Sequence, residues 1–193
     1  MKRRELQDLI ISWLTISIAF TRIGRLLDLG HFFYLFPISL IAVGTGFVAH
    51  ELAHRAVARK YGCHAEFVMW PEGLIIALIS SLIGFIFAAP GAVYVYGPHL
   101  TRRQNAKISL AGPVMNTAIG IFFLFISFFF IGNRGTYIGE LFFGVATLNL
   151  WFATFNLIPF PPLDGSKILT YFPGIWLMLL LGNISMLAFV GFF

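Results

Sequence analysis

Six apolar runs, residues 6–21, 32–57, 73–97, 107–131, 137–158 and 174–193, take up most of the chain. A stretch of about 18 or more such residues can cross a hydrocarbon core of roughly 30 Å as an α-helix, because a helix bonds its backbone polar groups within itself. Little sequence is left for a water-soluble domain. The composition agrees, with 59% apolar and 11% charged residues and a mean hydropathy of +0.87. The sequence therefore predicts an all-α polytopic membrane protein of about five to six transmembrane helices, one integral domain over 1–193 seated in a lipid bilayer. The start, MKRRELQDLIISWLTISIAF, has basic residues before an apolar run as a signal peptide does. No small-residue cleavage site precedes Arg22, so a retained first span is expected.

The net charge of +5 comes from basic residues scattered between apolar runs. That pattern reports membrane topology rather than a nucleic-acid partner. The single cysteine, Cys63, can form no internal disulfide, and no Cys/His array has structural-zinc spacing.

The run 73–97 decides the topology. If it enters and leaves on one side, Lys2, Arg3, Arg4, Arg55, Arg59, Lys60, Arg102, Arg103, Lys107 and Lys167 share one face and Arg22, Arg25 and Arg134 lie opposite, a split of 10 to 3. A full crossing gives 7 to 6. The excess of basic residues on cytoplasmic loops favours the re-entrant form, with the N-terminus cytoplasmic and the protein multi-pass in the cell membrane. Composition points the same way: residues 74–87 form a short apolar piece, APGAV breaks it, and 93–96 has strand character. A hairpin or short strand packed on the helices is expected.

Into this apolar background the segment FVAHELAHRAVARKYG places His50, Glu51 and His54. On a helix the two histidines lie one above the other, so both imidazoles can bind one zinc while Glu51 reaches a metal-bound water as general base. The alternative is a solvated helix end, since Arg55, Arg59 and Lys60 mark an interface. His50 lies roughly 13 Å of helix rise from Arg59, however, and ionisable groups at that depth point to function. A catalytic zinc takes a third protein ligand. Asp164, in NLIPFPPLDGSK, is the candidate, because three prolines stop the helix and Gly165 permits a tight turn that carries a carboxylate back. Only the re-entrant topology brings Asp164 to the face of His50 and His54. An N-cap for the next helix is the other job open to Asp164. Glu5, Asp8, Asp28, Glu66, Glu72 and Glu140 fall in the tail, links or span ends, and His31, His64, His99 and Cys63 are read as structural.

HELAH on a hydrophobic helix, AGPVMN at 111–116 and FNLIPFPPLDG together resemble the site-2 protease family of intramembrane zinc metalloproteases, over about residues 32–170. The resemblance implies one catalytic Zn2+ bound by His50, His54 and Asp164, water activation by Glu51, and a polar contact from Asn156 to substrate or intermediate. It implies a transmembrane-helix protein as substrate and cleavage within or near its span. The chain is similar to a minimal member, without evident PDZ or CBS domains. Asn149, seven residues before Asn156 on much the same helix face, can also serve to bond a neighbouring helix, as can Asn116. Gly44, Gly46 and Ala49 allow either close helix approach, the favoured reading, or a gap between helices that admits water, and residues 93–96 suit edge pairing with an extended substrate. A zinc-handling transporter, a prenyl-protein-processing type of metalloprotease and a non-catalytic assembly protein are the rival readings.

Overall fold

A computed structural model describes residues 1–21, 29–84, 86–87, 90–97, 100–128 and 136–191. Arg22, Arg25, Asp28, His99 and Arg134, used in the charge count or the site search, lie outside the described residues. In chain order the elements are α1 (Arg3–Thr21), α2 (Leu29–Val43), a π-helical turn (Gly44–Val48), α3 (Ala49–Lys60), β1 (His64–Met69), α4 (Pro71–Leu82), β2 (Gly91–Tyr96), α5 (Arg102–Ile126), α6 (Tyr137–Asn156), α7 (Asp164–Tyr171) and α8 (Pro173–Phe189).

Among the described residues, three helical runs are long and apolar enough to cross a membrane: the 32-residue Leu29–Lys60, the 25-residue Arg102–Ile126 and the 20-residue Tyr137–Asn156. The reading of five to six spans counted α1 and α8 as well. Arg3, Arg4, Glu5 and Asp8 occupy the first turns of α1, which shortens its uncharged part, and α8 has 17 residues.

The sequence predicts an all-α chain with a strand region near 93–96; the structure adds a partner strand, and among the described residues the fold is helical with one two-stranded sheet. β1 and β2 pair antiparallel, His64 opposite Tyr96 and Met69 opposite Gly91. The N–H of Trp70 donates to the carbonyl of Pro90 at 2.9 Å, so the chain leaves and returns at adjacent points. Between them α4 has only 12 residues, a rise of about 18 Å. β2 thus returns beside β1.

Side chains of α1 close the outer edge of β1. Glu5, 2% exposed, accepts from the N–H of Phe67 at 3.4 Å, and Asp8, 8% exposed, from that of Met69 at 3.4 Å. Glu5 also pairs with Arg55 of α3 at 2.7 Å. These two carboxylates, expected in a tail, are therefore buried anchors that fix the sheet to α1 and α3. At the exposed end of β1, Lys2 stands 2.7 Å from Glu66 and, with His64, holds its carboxyl below the usual range.

The core over this sheet joins Leu9 and Ile16 of α1 to Val43, Phe47, Phe67 and Leu74. A methyl group on Gly44 would come to 3.0 Å from Trp13, and one on Gly46 to 2.6 Å from Phe152, so both glycines serve close packing. α5 starts on a capping box, Thr101 with Gln104, and lies against α6 where Gly120 meets Leu150.

Candidate metal centre

The π turn re-phases the helix just before HELAH, with the N–H of Ala49 reaching five residues back to Gly44. In α3 the rings of His50 and His54 stand perpendicular, their centroids 4.5 Å apart. Their Nε2 atoms are 2.9 Å from each other, and Oδ2 of Asp164 lies 3.3 Å from the first and 3.1 Å from the second. The cluster is buried, with His50 5% and His54 8% exposed.

Each imidazole is oriented from behind. Nδ1 of His54 faces the carbonyl of Ile108 at 2.7 Å, and Nδ1 of His50 faces Oδ1 of Asn116. In the neutral ring both Nδ1 atoms then carry the proton, and both Nε2 atoms present lone pairs to a carboxylate oxygen. Three electron-rich atoms thus converge with no hydrogen between them, a set that a cation satisfies. Bonds of ~2.0–2.1 Å to a tetrahedral zinc place its ligands ~3.3 Å apart, close to the separations found. The donor set of two imidazoles, one carboxylate and hydrogen-bonded outer nitrogens fits that ion.

Asp164 reaches the histidines through the proline-rich turn. It is the first residue of α7 and makes no cap; Leu163 stands at the N-cap position. Gly165 is required for a different reason from the one expected. Its backbone has no unusual φ, but a methyl group there would collide with the carbonyl of Leu157, so glycine allows the start of α7 to press against the end of α6. Trp176 of α8 donates to that same carbonyl at 2.7 Å.

Gly112, in AGPVMN, is the site residue whose role the sequence did not disclose. Its α-carbon faces the two ligands, and a methyl group would lie 2.5 Å from Nε2 of His50 and 2.6 Å from Nε2 of His54.

A cavity of about 260 Å³ opens on the cluster, lined also by Glu51, β2, Asn156 and Lys167. Oε2 of Glu51 accepts from the N–H of Val93 at 3.2 Å. Asn156 closes α6 at the cavity, and its amide nitrogen donates to the carbonyl of Phe152 at 3.0 Å. Asn116 and Asn149 are wholly buried and bond each other at 3.1 Å. Cys63 is buried against Gly97, and His64 lies 3.3 Å from Glu66, both away from the cavity. Among the described residues, His50, His54 and Asp164 are the group of ligand atoms close enough to share an ion.

The chain is 44% identical to "Putative zinc metalloprotease MJ0611" of Methanocaldococcus jannaschii, over 98% of this chain and 96% of that protein. It is 31% identical to "Putative zinc metalloprotease YwhC" of Bacillus subtilis, over 70% and 68% respectively. The chain belongs to the site-2 protease family. A further relative, "Putative zinc metalloprotease Rip3" of Mycobacterium tuberculosis, is 32% identical over 63% of this chain and only 27% of its own length. No family model matches the chain, and no solved structure matches it significantly.

Proposed function

We propose that this chain is an intramembrane zinc metalloprotease that hydrolyses peptide bonds within or near the transmembrane segments of other membrane proteins. The observation that carries the reading is the convergence of His50, His54 and Asp164 beside Glu51 in one buried cavity. The protein would be multi-pass in the cell membrane, with a cytoplasmic N-terminus, and the site would lie below the basic end of α3 that Arg59 and Lys60 mark.

Zinc held by His50, His54 and Asp164 would supply a Lewis acid that lowers the pKa of a water molecule and polarises the scissile carbonyl. Glu51 takes the proton from the attacking water and returns it to the leaving amine. Its carboxylate is already aimed by the Val93 N–H. Asn156 is a neutral donor for the developing oxyanion once its amide leaves the carbonyl of Phe152.

A substrate helix must unwind to expose a peptide bond, and β2 offers the unwound strand a partner. Because Val93 donates to Glu51, its N–H points away from β1, and alternation along the strand gives Gly91 and Val95 the same direction. The outer edge of β1 is taken by Glu5 and Asp8; on the cavity edge of β2 Glu51 holds the Val93 N–H, so strand addition would use Gly91 and Val95 on either side of it.

The test is incubation of the purified protein with a panel of transmembrane substrates, with and without a zinc chelator, and mapping of the cuts by mass spectrometry. Cuts within or beside the span that vanish with chelator are expected. Cleavage insensitive to chelator, or confined to water-soluble domains, would sink the proposal.

A further inference from the structure

We propose that Asn116 is a positioning residue that locks His50 in the tautomer and orientation the metal needs, and that Asn149 in turn locks Asn116. The inference rests on the zinc-site reading above and deepens it.

The orientation of both amides follows from backbone carbonyls, which can only accept. Nδ2 of Asn149 donates to the carbonyl of Val145 at 2.8 Å and to Oγ1 of Thr45 at 3.0 Å, so its Oδ1 turns toward Asn116. Nδ2 of Asn116 donates to the carbonyl of Gly46 at 2.8 Å and to that Oδ1 at 3.1 Å. A flipped Asn116 would set oxygen against oxygen at both contacts. Its Oδ1 must therefore face Nδ1 of His50, which must be the donor, leaving Nε2 bare toward His54 and Asp164.

All of this lies out of water, where a mismatched pair of acceptors is costly. Asn116 and Asn149 are both 0% exposed. The node joins the π turn, α5 and α6, so the ring of His50 is set by the packing of three elements rather than by α3 alone. Asn116 is not itself among the residues that line the cavity; its contacts there are the outer nitrogen of His50 and the backbone carbonyl of Gly46. It acts through His50.

Zinc affinity, measured by competition with a chromogenic chelator, and melting temperature separate this role from simple helix packing. Asn116→Ala is expected to weaken zinc binding by ~10–100-fold, the usual cost of losing a partner behind a ligating histidine. Asn116→Asp keeps an oxygen for His50 Nδ1 but loses both donor contacts. It should recover most of the affinity while melting as low as Asn116→Ala. Equal loss of zinc affinity in the two variants, or none in Asn116→Ala, would overturn the proposal. If Asn116→Ala does not fold, Asn149→Ala removes one restraint on Asn116, and zinc binding unchanged from wild type there counts against the proposal. A wild type that binds no zinc would overturn the zinc-site reading and this inference together, whereas full zinc in wild type and Asn116→Ala alike overturns this inference alone.

Discussion

Gly112→Ala adds one methyl group at the point where α5 faces both histidine ligands. The new carbon would stand 2.5 Å from Nε2 of His50 and 2.6 Å from Nε2 of His54, against an unstrained separation of ~3.5 Å. Something must move by ~1 Å. The rings cannot simply swing away, because Nδ1 of each is held, by Asn116 and by the carbonyl of Ile108. Metal sites tolerate ligand distances within ~0.2 Å of their ordinary values, so a displacement several times larger should weaken zinc binding severely. Misplacement of ~1 Å also costs ~100-fold in catalysis. Helix propensity works in the opposite direction: alanine is better than glycine inside α5 by ~1 kcal/mol, while overpacking costs ~1–3 kcal/mol. The variant should therefore melt within a few degrees of wild type yet lose zinc by at least ~100-fold and cleavage with it. Zinc titration of the purified variant beside its thermal melt is the assay. Stoichiometric zinc at wild-type affinity in Gly112→Ala would refute the placement of α5 against the ligands.

Val95→Pro removes an N–H from the cavity edge of β2 without breaking the pairing with β1. Its expected outcome is loss of cleavage by more than ~10-fold with zinc content unchanged, and normal cleavage would remove strand addition from the mechanism. Glu5→Gln breaks the ion pair with Arg55 on the far side of the sheet, where Glu5 is 2% exposed. Loss of one partner of a buried pair costs ~3–5 kcal/mol, so thermal unfolding should show a large drop, and an unchanged melting temperature would mean that α1 does not anchor the sheet.

Where local spacing carried the information, the sequence was readable. His50, Glu51 and His54 were visible because four residues make one helical turn, and Asp164 because the prolines of its motif stop the helix and let the chain turn back. The strand at 93–96 was seen through its β-branched and aromatic residues, and it extends over Gly91–Tyr96. Its partner β1 was not seen, because HAEFVM follows a basic interface and places Glu66 in the strand, which read as a link. Glu5 and Asp8 were assigned to the tail for a similar reason. Their burial depends on β1 having an edge in need of acceptors. The link between Asn116 and His50, 66 residues apart, and the closeness of Gly112 to both rings exist only after α5 packs on α3. A helix-bonding role for Asn149, one of the two readings open to it, is the one it fills. Gly165 was singled out correctly but on the wrong ground, since close approach to Leu157 rather than a turn conformation requires it.

The central claim is that this metal site carries out hydrolysis, with Glu51 moving the proton. Glu51→Gln, reconstituted in vesicles beside wild type with a transmembrane substrate and with external zinc, tests it in one measurement. The predicted result is full zinc binding in both proteins, cleavage by wild type alone, and no zinc flux through either. Cleavage that persists in Glu51→Gln, or zinc transport that the substitution leaves intact, would contradict it.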